Sequence, residues 1–418
     1  MKDLNVYIEI NGDEKLTGRI VGNSYKDASF IYDDVYMNSG EGMPISVSLP
    51  FQNEGFSPER TKSFFESLLP EGFSRRAVAG WVKSDESDYI TILEALGKEC
   101  LGAVKISNGE EEPTPEYEEL SLAEVKALAA EGATKSTQIL METHLSLTGA
   151  SGKVGLLYDR DNDKWYLPKG KAPSTHIVKQ SHVRLDRIVL NEQLCMITAK
   201  NSGIDVPESF IVDTGSGQDD QVLFATQRYD RLLGQGKVID GIRSPIRLHQ
   251  EDFAQALGIP PENKYEKEKS GYLAKIFDLI QDNSDNPIED KTKLLERIVF
   301  SYLIGNTDCH IKNISFIYSK DLRSLRLAPA YDIVATQVYN TTPKMSFYIG
   351  NEIDISKVNR SCFIEASSEM SMSSNAVGRI FDRIADRFET ALLNATDELC
   401  DMGYSEAVSI RDKILKRI

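Results

Sequence analysis

The first hundred residues alternate between apolar and polar positions in short segments. Leu4, Val6, Ile8 and Ile10 recur at every second position, with more polar side chains between them. This alternation is typical of a strand with one buried face. By the same criteria we predict strands at 29–37, 43–49 and 101–106, and a helix at 61–69 that ends before Pro70.

The middle of the chain continues with strands, and its last part becomes helical. After residue 250 the apolar spacing is that of helices, as at Leu294, Ile298 and Val299, and Gly305 stands where such a helix would end. A β-rich part followed by an α-rich part indicates an α+β protein. The predicted strands are 153–159, 164–169, 175–180, 209–213 and 221–230, and the predicted helices are 184–203, 293–305, 377–388 and about the last twenty residues.

One segment of distinct composition divides the chain. Residues 108–121, NGEEEPTPEYEELS, are acidic, contain two prolines and lack apolar periodicity, which indicates a linker. A chain of 418 residues also exceeds the usual size of a single hydrophobic core. We predict an N-terminal α+β subdomain at 1–108, an acidic linker at 109–121, the remainder of a mixed N-terminal lobe at 122–235 and a helical C-terminal lobe at 236–418.

Composition and charge narrow the class of protein. Apolar residues make up 41% of the chain and charged residues 27%, as in ordinary globular proteins. The net charge of −16 repels phosphate backbones and excludes a free-standing nucleic-acid binder, although a basic partner could bring the chain to DNA. The five cysteines form no C-x-x-C pair, which argues against a disulfide framework or a zinc ribbon and favours a reducing compartment. Without a leader-like N-terminus or an apolar run of about 20 residues, the chain is expected to be soluble and cytoplasmic, with no membrane association.

A polar cluster follows the predicted helix of residues 293–305. The segment GNTDCHIKNIS could bind a metal, catalyse an acid–base reaction or form a polar loop. Zinc is disfavoured because Asp308, Cys309 and His310 are consecutive, which is poor geometry for one ion. Asp308 and Asn313 are five positions apart, which is the spacing in the protein-kinase catalytic loop, H-R-D-x-x-x-x-N. In that scheme the Asp orients the attacking hydroxyl and the Asn binds Mg²⁺.

Other parts that a kinase needs occur in the expected order. Lys179 ends an apolar strand, as the phosphate-binding lysine of a kinase does, and Glu192 in the next helix is its candidate ion-pair partner. A small-residue turn at 149–152 precedes a strand, and its backbone N–H groups could approach phosphate oxygens closely. Asp332 follows Asn313 by 19 residues, in the place of the second Mg²⁺ carboxylate. Each feature alone has an ordinary structural explanation, but their order indicates a kinase.

The stretches that carry these residues resemble the HipA family of serine/threonine protein kinases, the toxins of HipBA-type bacterial toxin–antitoxin modules. The resemblance extends over essentially the whole chain. It implies a two-lobed protein-kinase-like fold with a mixed α/β N-terminal lobe and an all-α C-terminal lobe. The stretches include SLTGASGK (146–153), PSTHIVK (173–179), ATQRYDR (225–231), LIGNTDCHIKN (303–313) and LAPAYDI (327–333).

The resemblance also implies roles for individual residues. Asp308 would be the catalytic base or hydroxyl-orienting residue, and Asn313 and Asp332 would bind Mg²⁺. Ser146 matches the position where relatives phosphorylate themselves, a modification that is understood to displace the phosphate-covering loop and inactivate the kinase. The implied ATP site consists of the phosphate-covering loop Thr148, Gly149, Ala150, Ser151, Gly152 and Lys153, the phosphate-binding Lys179, the adenine hinge Gln227, Arg228 and Tyr229, and the lining residues His310, Lys312, Asn313, Tyr331 and Asp332.

The implied activity is transfer of the ATP γ-phosphate to a protein serine or threonine. By resemblance, the acceptor would be a protein of translation, with an aminoacyl-tRNA synthetase as the leading candidate. The chain would act as a toxin that causes growth arrest and persistence. Its partner would be a HipB-like helix-turn-helix antitoxin, through which it would contact operator DNA indirectly.

Five positions in three segments depart from the family pattern. Residues 148–153 read T-G-A-S-G-K where the family usually has A-G-A-Q-[EP]-K, and Gln227 and Cys309 stand where Glu and Gly are common. A catalytically weak kinase-fold module that acts mainly as an antitoxin-bound co-repressor is therefore an alternative. A small-molecule kinase of related two-lobed fold is a further alternative.

Overall fold

A computed structural model of the chain describes residues 3–109, 114–128, 153–181, 185–215, 217 and 219–417. The chain forms two compact units and passes between them several times. The first unit consists of Met1–His182, Val212–Pro261 and Ile317–Ser324, and the second of Val183–Ile211, Glu262–Phe316 and Leu325–Ile418. The domain boundaries predicted at 108, 121 and 235 stay a prediction.

An antiparallel four-stranded sheet opens the first unit. Its strands lie in the order β3-β2-β1-β4. Leu4, Val6 and Ile8 of β1 are fully buried, so the predicted alternation is confirmed. The strands are β1 (Leu4–Ile10), β2 (Asp13–Val21), β3 (Ser29–Tyr32) and β4 (Val104–Ser107), and the accompanying helices are α1 (Asp34–Asn38), α2 (Pro58–Ser67), α3 (Gly72–Trp81) and α4 (Tyr89–Leu96).

Two predicted strands in this unit are wrong, in part or entirely. The strand predicted at 29–37 ends at Tyr32, because the Asp33 side chain accepts hydrogen bonds from the first N–H groups of α1 and caps that helix. No strand forms at 43–49. There the alternation reflects buried hydroxyls: Ser46 donates to Glu251, and Ser48 donates to the Gln255 carbonyl.

A second antiparallel sheet of the first unit contains strands in the order β5-β7-β6-β8-β10. The hairpin predicted at 153–159 and 164–169 is confirmed. Strand β5 falls within the predicted linker, where Tyr117 is buried with Leu157 and Ala172. The strands are β5 (Glu116–Leu120), β6 (Lys153–Asp159), β7 (Lys164–Lys169), β8 (His176–Gln180) and β10 (Val222–Gln227), and residues 122–128 are the described part of helix α5.

Short strands complete the first unit. Strand β11 (Arg231–Leu232) pairs with β14 (Ile246–Arg247), and β12 (Val238–Ile239) pairs with β13 (Ile242–Arg243). Strand β15 (Gln250–Asp252) then leads into helix α7 (Phe253–Leu257).

The second unit is predominantly helical, as predicted, but the C-terminal lobe is not all-α, because residues 344–349 and 352–354 pair as an antiparallel hairpin. Helix α11 packs against α6 and α9, for example through the rings of Phe300 and Phe388. No helix among the described residues is both long enough and apolar enough to cross a membrane. The helices are α6 (Ile188–Ser202), α8 (Tyr272–Asn283), α9 (Pro287–Ile304), α10 (Arg360–Glu365), α11 (Ser374–Asp401) and α12 (Ala407–Leu415). The hairpin strands are β18 (Lys344–Ile349) and β19 (Glu352–Asp354), and a further strand, β17, spans Leu325–Leu327. The chain passes between the two units within β9 (Ser209–Asp213) and within β16 (Ser315–Tyr318).

Candidate active site

The loop predicted to be catalytic starts at the end of helix α9. Gly305 ends the helix with a φ of 79°, a left-handed conformation that glycine adopts without steric cost. The Thr307 N–H then donates to the Thr336 hydroxyl at 2.8 Å, and that hydroxyl donates to the Gly305 carbonyl at 3.1 Å. The loop is therefore anchored on both sides by segments of the second unit.

Asp308 and Asn313 come together within this loop. The Asn313 side-chain NH₂ donates to the Asp308 carbonyl at 2.9 Å, and Asn306 Oδ1 accepts from the Asp308 N–H at 2.8 Å. An amide NH₂ group only donates hydrogen bonds, so Oδ1 is the atom that Asn313 can offer to a cation. The side chain of Asp308 is about half exposed (47%), so its carboxylate is accessible to a substrate.

The Asp308 carboxylate is contacted by two aromatic residues. The Tyr265 hydroxyl donates to Asp308 Oδ1, and His310 Nε2 lies 3.8 Å from the same oxygen. The buried His310 ring meets the Tyr265 ring edge to face, with 5.1 Å between centroids. Burial raises the pKa of Cys309, so its thiol stays neutral at physiological pH. No pattern in the sequence predicts Tyr265 at this position.

Tyr331 and Asp332 lie on a segment tied to the same loop. The Tyr331 hydroxyl is 2.6 Å from the Ser315 hydroxyl and donates to the Lys312 carbonyl at 3.1 Å. Asp332 has a φ of 56°, which is uncommon for a residue other than glycine and is often associated with functional positions. Asn191 of α6 holds the following turn by accepting from the Ala335 N–H and donating to its carbonyl. The Lys312 side chain is buried.

In the first unit, two lysines of the predicted ATP site are neighbours across the sheet. Lys153 of β6 lies directly opposite Lys179 of β8, which in turn lies opposite Phe224 of β10. Directly opposed side chains share one face of an antiparallel sheet, so the two lysine side chains lie on the same side of it. The Lys179 amine also lies 5.7 Å from the centroid of the Phe224 ring. This row offers positive charge to a ligand such as a phosphate.

The predicted adenine hinge continues from β10 into a buried cluster of charges. Arg228 donates to Glu99 at 3.1 Å and makes a bidentate contact with Asp230 at 3.0 and 2.8 Å. Its guanidinium is completely buried, so only its backbone could contact a nucleotide. Gln227 is half-buried, and the Tyr229 hydroxyl donates to Gln250. We call the charged set the arginine cluster; it comprises Glu9, Glu99, Arg228, Asp230, Arg231 and Arg247.

Some predicted residues cannot be placed together. Glu192 is buried in α6 of the second unit, whereas Lys179 belongs to the first unit, so their ion pair stays a prediction. The predicted autophosphorylation site and most of the phosphate-covering loop lie outside the described residues; they are Ser146, Thr148, Gly149, Ala150, Ser151 and Gly152.

Comparisons with known proteins cover nearly the whole chain. Residues 8–107 match the HipA N-terminal domain, and residues 145–392 match the HipA-like C-terminal domain. The Sinorhizobium fredii protein Y4mE, whose kinase name is provisional, is 29% identical over 94% of this chain and 93% of its own length. The serine/threonine-protein kinase toxin HipA of Shewanella oneidensis is 24% identical over 88% of this chain and 84% of its own length.

A solved structure confirms the predicted α+β, kinase-like fold class. The S. oneidensis HipA in a complex with HipB and operator DNA superposes with a TM-score of 0.79, at 22% identity. The match covers 99% of this chain and 96% of that one.

Proposed function

This chain belongs to the HipA family of kinases, and from that premise we propose that it is a serine/threonine protein kinase that uses ATP and Mg²⁺. One observation carries the proposal: the Asn313 side chain donates to the Asp308 carbonyl and so fixes both residues in one accessible loop. Asp308 would accept the proton of the attacking hydroxyl. Asn313 Oδ1 and the Asp332 carboxylate are hard oxygen donors of the kind that Mg²⁺ prefers.

The bound Mg²⁺ would neutralise charge on the ATP phosphates. Lys153 and Lys179, opposite each other on β6 and β8, would bind the same phosphates. The loop Thr148–Gly152 would cover them, and Lys179 would pair with Glu192. His310, Lys312 and Tyr331 would line the nucleotide site. Gln227, Arg228 and Tyr229 would form the adenine hinge, with Arg228 contributing only its backbone because its guanidinium is buried in the arginine cluster.

The proposed biological role is that of a toxin in a toxin–antitoxin module. The acceptor would be a serine or threonine of a protein of translation, such as an aminoacyl-tRNA synthetase, and the outcome would be growth arrest and persistence. A HipB-like antitoxin would be the partner, since the S. oneidensis relative was solved with HipB and operator DNA. A basic antitoxin would also supply the positive charge that DNA binding needs and that this chain, at −16, lacks. Autophosphorylation at Ser146 would switch the kinase off.

The test is phosphate transfer from ATP labelled at the γ-position. Purified chain with Mg²⁺ should become labelled at Ser146, as located by mass spectrometry, and a chelator should abolish the label. Asp332→Asn should lose the label because a Mg²⁺ ligand is weakened. Asp278→Asn, an exposed carboxylate on α8, is the matched control and should behave like the wild type. An unlabelled wild type that still binds its antitoxin would instead support the co-repressor alternative.

The acceptor protein requires a separate experiment. The wild type and Asp332→Asn would each be expressed in a bacterial host, and serine and threonine phosphorylation would be compared across the proteome. A translation protein phosphorylated only with the wild type would support the proposed acceptor class. Phosphorylation of a small metabolite, with no new phosphoprotein, would favour a small-molecule kinase.

A further inference from the structure

A loop of the second unit brings a tyrosine to the Asp308 carboxylate. The Tyr265 hydroxyl donates to Asp308 Oδ1, and the Tyr265 ring packs edge to face on His310, which is itself buried. Two contacts therefore hold Tyr265 beside Asp308: its hydroxyl binds the carboxylate, and its ring packs on His310. Neither contact is required by the spacing of Asp308 and Asn313 within their own loop.

The next residue, Glu266, anchors this loop. Its buried carboxylate accepts four hydrogen bonds: from the Ser270 N–H at 2.6 Å, the Ser270 hydroxyl at 3.3 Å, the Tyr272 N–H at 3.2 Å and the Tyr348 N–H at 3.0 Å. The Glu266 N–H also donates to the Ser346 carbonyl at 2.8 Å. Hydrogen bonds to an ionised carboxylate are among the stronger ones in proteins. The carboxylate thus fastens the Tyr265 loop to the start of α8 and to β18.

Strand β18 also holds the loop that carries Asp308. The Ser346 hydroxyl donates to the Thr307 carbonyl at 2.8 Å, one residue before Asp308. Ser346 therefore contacts both loops: its carbonyl binds Glu266, and its hydroxyl binds Thr307. The loops of the donor Tyr265 and the acceptor Asp308 are thus both hydrogen-bonded to Ser346 of β18, which restricts the movement of one loop relative to the other.

Two roles for Tyr265 can be separated on this geometry. A lid over Asp308 would have to swing away for each substrate, and the five hydrogen bonds of Glu266 oppose such a movement. A carboxylate has about four lone-pair positions, so it can accept the hydrogen bond from Tyr265 and still accept another from the substrate hydroxyl that receives the phosphate. The arrangement resembles the general pattern in which a base is oriented by a third group. The contacts therefore favour orientation over obstruction.

We propose that Tyr265 is a positioning residue that orients the Asp308 carboxylate toward the acceptor hydroxyl, with Glu266 holding its loop in place. The inference rests on the proposed kinase function. In the step concerned, the acceptor oxygen bonds to the γ-phosphorus, and the bond from that phosphorus to the bridging oxygen breaks. The electron pair leaves on ADP, and the hydroxyl proton passes to Asp308. Tyr265 keeps its own proton throughout.

The test compares two tyrosines of the same region. Tyr265→Phe removes the hydroxyl on Asp308 but retains the ring on His310. Tyr272→Phe is the matched control. Tyr272 is the first residue of α8, and its hydroxyl donates to the Asn263 carbonyl at 2.7 Å, away from Asp308. Initial rates of ADP formation and of self-labelling would be measured with Mg²⁺ over a range of ATP concentrations. These readouts need no identified protein acceptor.

We expect Tyr265→Phe to lower kcat about 10-fold, a fraction of the 10²- to 10⁴-fold that a positioned base supplies, with the KM for ATP unchanged. Tyr272→Phe should keep the wild-type kcat. Glu266→Gln, which weakens the anchor but keeps both tyrosines, should give an intermediate kcat, again at constant KM. A purely structural role would instead lower the amount of ATP-binding protein, so ATP-binding stoichiometry is measured for every variant.

The results separate this inference from the function on which it rests. An active wild type with an equally active Tyr265→Phe overturns the positioning role and leaves the kinase intact. A faster Tyr265→Phe also overturns it, because it would identify the hydroxyl as an obstruction. An equal fall in both tyrosine variants shows a loss of loop structure and overturns it as well. A wild type that forms no ADP overturns the kinase proposal itself, and the positioning role with it.

Discussion

The arginine cluster of the first unit and the Asp308 loop of the second unit both concentrate ionisable side chains, but they treat charge in opposite ways. In the cluster, burial alone would raise the pKa of Glu99, yet Arg247, Arg231 and Arg228 outweigh it and lower that pKa to about 2. Glu99 is thus an anion at physiological pH, and it accepts hydrogen bonds from three arginines. Such a site contributes structure and offers no group to a substrate.

In the Asp308 loop, the carboxylate is about half exposed, and the neutral hydroxyl of Tyr265 donates a hydrogen bond to it. Its fixed elements are instead the backbone and amide groups around it, such as Asn313 on the Asp308 carbonyl. Buried, paired charges stabilise the fold, whereas a carboxylate that stays half exposed on a fixed loop is accessible to a substrate. Mutations at the two places should therefore affect different quantities.

The largest expected effect is on catalysis. Asp308→Asn should lower the rate of phosphate transfer about 10³-fold, because the amide cannot accept the hydroxyl proton. The midpoint of urea unfolding should stay at the wild-type value, since an amide oxygen can still accept from Tyr265. The two measurements are self-labelling from ATP and urea unfolding on the same preparation. If the variant also lost stability, Asp308 would have a structural role, and the proposed difference between the arginine cluster and the Asp308 loop would be wrong.

The next effect is on stability. Arg228→Met should lower the free energy of unfolding by about 3–5 kcal/mol, because it leaves Glu99 and Asp230 buried with one fewer cation. Activity per folded molecule should be retained if Arg228 contributes only its backbone to the site. Arg243→Met, which removes an exposed arginine of the same unit, is the control and should change neither quantity. A stable Arg228→Met would show that the cluster does not depend on its charge balance.

The third effect concerns Glu251, a buried carboxylate that is paired with no cation among the described residues. Burial raises the pKa of Glu251 to about 7, although hydrogen bonds from Ser46, Tyr318 and the Val47 N–H partly oppose the rise. A raised folded-state pKa gives stability that is fully present below about pH 4.5 and lost as pH increases through about 7. The loss should approach about 3 kcal/mol at pH 8, from 1.36 kcal/mol for each pKa unit.

The pH dependence of Glu99 has the opposite sign. Its contribution to stability is lost only as pH falls from about 4.5 toward 2.

Glu251→Gln isolates the contribution of that carboxyl group. Urea unfolding would be measured from pH 5 to pH 8 for the variant and the wild type. Glutamine does not ionise, so the variant should show a flatter dependence in this range. Equal slopes for the two proteins would mean that Glu251 stays ionised when buried.

Local patterns made much of the fold predictable. The alternation in β1 and the helical spacing before Gly305 involve neighbouring residues, and both elements form as predicted. The error at 43–49 has a long-range cause, because Ser46 and Ser48 are buried against Glu251 and Gln255, more than 200 positions away. An alternating pattern cannot distinguish a pleated strand from a loop whose hydroxyls meet a distant partner.

The site divides in the same way. Asp308 and Asn313 are five positions apart, so the sequence alone predicts that they lie in one loop. Tyr265 reaches Asp308 from 43 positions away, in the lysine- and glutamate-rich segment 264–269, which has no apolar period. The partners Glu99 and Arg228 are 129 positions apart. Contacts at such distances leave no periodic signal, so only the structure can reveal them.

The smallest expected effect tests whether burial or hydrogen-bond geometry makes the arginine cluster important. Arg360 and Asp382 form a bidentate pair at 2.6 and 2.8 Å, at least as short as that of Arg228 and Asp230, but both side chains are about half exposed. Water and salt screen such a pair, and removing one partner leaves the other solvated. Arg360→Gln should therefore leave the urea midpoint unchanged within measurement error, at low and at high salt. A loss as large as that of Arg228→Met would assign the stability of both pairs to their geometry, and burial would no longer explain the difference between the two regions.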